Sequence, residues 1–151
     1  MKANNIIPNK TGKFLTIPDQ NEWSISKEAE YLYYCDNETI SGVEFPEGYK
    51  FPENNGLICD ASSNFASRPI DWSKHKCVFA SAQKNIGPPG LTIVAIDKKH
   101  IKPFEKKDGV SILSDWATIS QSPDKLQNTP SSWSIYVSGL VIEHMLKQGG
   151  L

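Results

Sequence analysis

Arginine is almost missing from this chain of 151 residues: Arg68 is the only one among 16 basic residues. Guanidinium forks are the usual grip on dianionic phosphates and on carboxylates. A site for such anions must therefore use backbone donors and lysines here, or lack part of its grip. Charge of one sign is missing too. The net charge of −1 argues against a nucleic-acid or membrane-surface role. No apolar run is long enough to span a bilayer, and Met1-Lys2-Ala3-Asn4 does not open a secretory signal. Cysteine is scarce. Cys35, Cys59 and Cys77 make an odd set without metal-ligand spacing, and two of them lie in apolar runs. That predicts buried, reduced thiols in a cytoplasmic protein, not a disulfide framework and not a zinc site completed by His75. There is no internal repeat and no low-complexity tract.

What is present suits one soluble globular domain, with 38% hydrophobic and 22% charged residues. Short apolar runs predict strands at Tyr31 to Cys35, Leu57 to Cys59, Cys77 to Ala80 and Leu91 to Ile96. Long connections separate most of them. This pattern predicts an α/β fold with a mostly parallel sheet, buried on both faces. Thr129-Pro130 reads as a helix start, threonine capping and proline at the first helical position. Trp133, Tyr136, Val137, Leu140, Val141 and His144 then recur at three-and-four spacing, which predicts one buried helical face ending at Gly149-Gly150. The lysine-rich stretch from Asp97 to Asp108 reads as a short solvated helix broken at Pro103.

In open parallel sheets, ligands sit at the carboxyl ends of strands. Polar clusters stand at three such ends: Asn37 to Thr39, Asp60, and Gln83-Lys84. Lys84 follows Val78-Phe79-Ala80 and precedes the stiff turn Gly87-Pro88-Pro89-Gly90. Either it is a solvated loop lysine, or it is desolvated there. In the second case its ammonium pKa falls and the neutral amine becomes a nucleophile toward carbonyls. Asp60 either caps the turn into Ser62-Ser63-Asn64 or, half-buried, meets a cationic partner. Thr39, Asn37 and Gln83 have ordinary loop roles open to them, and Asn128 and Thr129 ordinary capping roles.

Four strings, in order, resemble one family: Tyr34-Cys35-Asp36-Asn37-Glu38-Thr39, Asp60-Ala61-Ser62-Ser63-Asn64, Ala82-Gln83-Lys84-Asn85-Ile86-Gly87 and Gln127-Asn128-Thr129-Pro130. Gly42-Val43-Glu44-Phe45 and Ser67-Arg68-Pro69-Ile70-Asp71 also fit. They are similar to the phosphoserine aminotransferases, fold-type I enzymes of the class V group that depend on pyridoxal 5′-phosphate. The family's chain is well over twice as long. The resemblance therefore implies that residues 1–151 are the central part of its large cofactor domain, without the parts on either side.

The resemblance implies transfer of an amino group between phosphoserine and 2-oxoglutarate, giving 3-phosphohydroxypyruvate and glutamate. Lys84 would carry the Schiff base with the cofactor, and Asp60 would face its pyridinium nitrogen. Thr39 would hydrogen-bond the cofactor, and Gln83 its phosphate. Asn128 and Thr129 would reach the phosphate in the other subunit of a homodimer. Ala61, Ser41, Ser81, Gln127 and Ser131 depart from the residues usual in the family, but none of them removes a matched cofactor group. More is missing around them: no glycine-rich phosphate loop precedes Tyr31, no tryptophan stands where one would stack on the cofactor ring, and the family's substrate-carboxylate arginines are absent. The alternative is a truncated, catalytically incompetent fragment acting only as a folding or association unit. Another class V enzyme, such as a cysteine desulfurase, fits less well because of Asn128-Thr129-Pro130.

Overall fold

The computed structural model describes residues 15–52, 56–100, 111, 116–123, 126 and 128–151. Its centre is a four-stranded sheet in the order β1-β4-β5-β6, built from β1 (Leu32–Cys35), β4 (Leu57–Asp60), β5 (His75–Ser81) and β6 (Thr92–Ile96). Strands β1, β4 and β5 run parallel. Strand β6 returns antiparallel to β5, because the link through Lys84 and Gly87 to Gly90 is too short for the crossover a parallel partner needs. A small ribbon, β2 (Asn37–Glu38) with β3 (Val43–Glu44), lies just beyond the end of β1.

Alternation along the strands gives the sheet one well-covered face. Tyr34, Cys59 and Val78 stand in register across it. Cys59, Ala61 and Val78 are buried there with Tyr34, Phe65 and Ile70 packed on them, and Ala80, Ala82 and Ile86 continue the core under Phe65, Leu91 and Ile93. Tyr34 also joins an aromatic cluster, 4.4 Å from Phe51 and 5.4 Å from Phe45 between ring centroids. The Tyr34 hydroxyl lies 2.8 Å from His75 Nε2, and His75 Nδ1–H donates to the Asp71 carbonyl at 2.8 Å.

Burial of the sheet on both faces, which the apolar strands predict, does not occur among the described residues. Tyr33 on the other face is 53% exposed, although its ring stacks on Phe79 with centroids 6.4 Å apart and planes 10° apart. Hydrophobic strands report that a face is coverable, not that the same chain supplies the cover. The thiols divide likewise: Cys59 and Cys77 are buried, while Cys35 at the end of β1 is exposed.

Helix α1 spans Trp116–Gln121 and helix α2 spans Ser132–Lys147. The latter starts later than Thr129-Pro130 predicts: Ser131 is its N-cap position and makes no side-chain capping bond. Its buried face is also a different one. Ser134 and Ser138 are buried, whereas Trp133 and Tyr136 are 69% and 60% exposed, and Leu140 and His144 are exposed as well. The helix lies against the backbone of the Gly87–Gly90 turn, and only small side chains allow that approach. The Ser134 hydroxyl donates to the Pro89 carbonyl at 2.7 Å and stands 2.8 Å from the Ser131 hydroxyl. Of the predicted lysine-rich helix, Lys98–His100 forms a 3-10 turn, and residues 101–108 lie outside the described set. No described helix is long and apolar enough to cross a membrane.

Candidate active site

Because β1, β4 and β5 are parallel, their carboxyl ends share one edge, with Cys35, Asp60 and Phe79 in register across it. Backbone bonds tie the edge together: Asp36 N–H to Asp60 O at 2.9 Å, and Ala61 N–H to Phe79 O at 2.9 Å. The polar residues that follow each strand are therefore delivered to one place.

Lys84 stands in a loop held on both sides. Ala82 N–H donates to Leu91 O at 3.0 Å, and Gly87 N–H donates to Ala82 O at 2.8 Å. Ala82 and Ile86 are fully buried anchors, and the Asn85 amide donates to Phe65 O at 3.0 Å. With its neighbours pinned inward, Lys84 points out and donates to Thr39 Oγ1. Lys84 is exposed, so of the two readings its loop position allows, the described residues give the solvated one. Gln83 beside it is exposed too.

Asp60 is half-buried. Its Oδ1 accepts the Ser62 N–H at 3.0 Å, so the turn-capping role is realised. The carboxylate also faces Tyr33, whose phenol pKa is raised, first by burial and then by the charge of Asp60. Sequence reasoning treats Tyr33 only as a strand aromatic. Its place two residues before Cys35, which pairs with Asp60, puts it on the Asp60 face, and that follows only once the register is known.

The lone arginine is engaged elsewhere. Arg68 Nη2 lies 2.7 Å from Asp36 Oδ2 and 3.8 Å from Glu44 Oε1. The buried Asn64 amide donates to the same two carboxylates at 2.6 and 2.7 Å. Burial works to lower the Arg68 pKa, but the hydrogen bond and charge of Asp36 outweigh it and the pKa is raised. This cluster locks the 61–68 loop to the β2–β3 ribbon, and the Ser63 hydroxyl adds a bond to Asn37 O at 2.7 Å.

Asn128 and Thr129 stay apart from this group. The Asn128 amide donates to Thr129 O at 3.2 Å. Among the described residues, no hydrogen bond joins either of them to Lys84, Thr39 or Asp60. Gln127 lies outside the described set.

A lysine and a threonine hydroxyl in contact, with a carboxylate on the same sheet edge, make a donor set suited to an aldehyde-bearing, protonated heteroaromatic ring. Residues 3–151 match the family model described as Aminotransferase class-V.

The chain belongs to the class-V aminotransferases.

Among curated members, this class-V chain is 40% identical over 152 residues to the "Probable phosphoserine aminotransferase" of Dictyostelium discoideum, covering 99% of the chain and 40% of that protein. It is 43% identical over 150 residues to "Phosphoserine aminotransferase 1, chloroplastic" of Arabidopsis thaliana, covering 99% of the chain and 34% of that protein. The crystal structure of PLP bound phosphoserine aminotransferase from Trichomonas vaginalis superposes with a TM-score of 0.85 at 37% identity, covering 98% of this chain and 42% of that one. The α/β fold with its mostly parallel sheet is thus the fold of this pyridoxal-phosphate family. The chain spans about two fifths of the length of the relatives it matches.

Proposed function

We propose that this chain forms the lysine-bearing side of a pyridoxal 5′-phosphate site in a phosphoserine aminotransferase, acting in the cytoplasm on phosphoserine, 2-oxoglutarate, 3-phosphohydroxypyruvate and glutamate. The contact between Lys84 and Thr39, on the edge that also carries Asp60, is the observation that carries this reading. Lys84 Nζ would hold the cofactor covalently and, when released, move the proton taken from the substrate α-carbon. Asp60 would hold the proton on the ring nitrogen, and Thr39 would hydrogen-bond the cofactor. The bound cofactor supplies an electron sink for the substrate α-carbon's electron pair. Gln83 would hold the cofactor phosphate. Asn128 and Thr129, just ahead of α2, would serve the phosphate of a second subunit in a homodimer, where the helix N-terminus favours an anion.

The exposure of Lys84 and the engagement of Arg68 with Asp36 favour a second statement. Residues 1–151 correspond to the central part of the family's large domain, and on their own they hold only part of the site.

The lysine assignment is tested by incubating the chain with pyridoxal 5′-phosphate, reducing with borohydride and mapping the modified peptide. Modification is expected on Lys84. Label on Lys50 or Lys98 with Lys84 untouched would overturn it.

A further inference from the structure

The threonine that meets Lys84 has little of its own to hold it in place. Thr39 and Ile40 open the loop between β2 and β3, two strands of two residues each, and a ribbon that short is marginal by itself. Ile40 is 95% exposed, so no hydrophobic anchor fixes the loop tip. Two devices remain. One is the backbone bond from Gly42 N–H to Glu38 O at 2.9 Å, made possible by Gly42 at φ 69, a left-handed conformation that glycine adopts freely. The other is the Glu38 side chain. Its Oε1 accepts the Ile40 N–H at 3.1 Å and its Oε2 accepts the Ser41 N–H at 2.6 Å. One carboxylate thus clamps the two peptide units that follow Thr39, and charge-assisted bonds of this kind are the strong ones.

From this geometry we infer that Glu38 is a positioning residue of the site: by clamping the Ile40 and Ser41 amides it sets the Thr39 hydroxyl against Lys84. Among the described residues, the Gly42 backbone bond and this carboxylate clamp are what hold the tip, since Thr39, Ile40 and Ser41 are themselves exposed. The importance of this placement for cofactor binding rests on the site proposed above, but the placement itself does not. The low carboxyl pKa of Glu38 agrees with the clamp. Its first cause is the Ser41 N–H and its second the Ile40 N–H, with the Lys84 charge a smaller one.

The test uses the 151-residue chain and three variants, Glu38→Ala, Glu38→Gln and Thr39→Val. Amide hydrogen exchange is read at Ile40 and Ser41, and the Lys84 signal is read by NMR after 13C reductive methylation, both without cofactor. In Glu38→Ala, protection of Ile40 and Ser41 is expected to fall about tenfold, as for loss of a charge-assisted bond, and the Lys84 signal to move toward that of a solvated lysine. Glu38→Gln keeps an acceptor oxygen and should lie between Glu38→Ala and the parent. Thr39→Val should move the Lys84 signal but leave the two amides protected. Unchanged protection and an unchanged Lys84 signal in Glu38→Ala would overturn the inference. Pyridoxal 5′-phosphate binding is then measured on unmethylated samples of the parent and the three variants. Weaker binding in the order parent, Glu38→Gln, Glu38→Ala supports the clamp's role at the cofactor site. Failure of the parent to bind, with the amide and lysine readouts responding as expected, counts against the cofactor site and in favour of the clamp.

Discussion

Gly87 of the lysine loop stands directly against Ser138 of helix α2: a Cβ at Gly87 would lie 2.5 Å from the Ser138 Oγ and 3.3 Å from its Cα. The contact joins the loop that carries Lys84 to the longest helix among the described residues. Ser138 is fully buried, and its hydroxyl has no hydrogen-bond partner among the described residues, so its small size is what the close approach uses. A little further on, Gly90 meets Ser134 in the same way, at 3.0 Å.

Gly87→Ala is therefore expected to push the loop and the helix apart. Overpacking of this kind costs about 1–3 kcal/mol, and the φ of 154 at Gly87 adds backbone strain. The urea midpoint should fall, and the Gly87 N–H bond to Ala82 O, which closes the loop around Lys84, should weaken. Urea unfolding combined with amide exchange at Gly87 and Ile86 checks this. A midpoint and exchange rates equal to the parent's would show that α2 yields freely, and hence that it does not brace the loop.

Transaminase turnover by the purified 151-residue chain should be very low. Phosphoserine presents a phosphate and a carboxylate, and the cofactor adds a second phosphate. The only guanidinium in the chain is committed to Asp36 and Glu44. Each missing charge-assisted hydrogen bond costs roughly 1.5–3 kcal/mol, and each 1.4 kcal/mol is about a tenfold loss of rate. The assay uses saturating pyridoxal 5′-phosphate, phosphoserine and 2-oxoglutarate, with a full-length family enzyme alongside. Comparable rates would mean that the site requires fewer anion-binding groups than this count assumes.

Acid should loosen the turn that leads into β5. The Ser73 hydroxyl, then the Lys74 ammonium, hold the Asp71 carboxyl at a pKa of about 2, below its ordinary 3.8. The folded-state pKa is the lower one, so the carboxylate's contribution is present above about pH 4 and is lost as pH falls through about 2. Asp71→Asn removes the titrating group and should flatten the stability curve across that window while leaving its shape near neutrality unchanged. Urea midpoints taken from pH 2 to pH 6 for both proteins provide the measurement. Curves that stay parallel throughout would remove Asp71 from the acid response.

Much of the site was legible from the order of residue types. Asn37 to Thr39, Asp60 and Lys84 each follow an apolar run, and parallel strands carry whatever follows them to a common edge. The Gly-Pro-Pro-Gly turn likewise announced a rigid exit from the lysine loop. Glu38 and Tyr33 were less visible, since a loop glutamate and a strand tyrosine have many ordinary uses. What set them apart was a carboxylate folded back on two amides and a strand register, and neither has a local signature.

The sequence by itself determined where the four strands of the main sheet and the lysine loop fall, though not the short β2–β3 ribbon, because apolar runs, prolines and glycines act through the nearest few residues. Its motifs also placed the chain in its family. Only the tertiary structure decided that β6 runs antiparallel, that among the described residues one sheet face is left open at Tyr33, that Arg68 is locked to Asp36, and that α2 turns Ser134 and Ser138 inward with Trp133 and Tyr136 outward. Periodicity measures how hydrophobic a helix face is. Which face is buried depends on what approaches it, and here that is the backbone of a glycine-proline turn, against which only the small side chains fit.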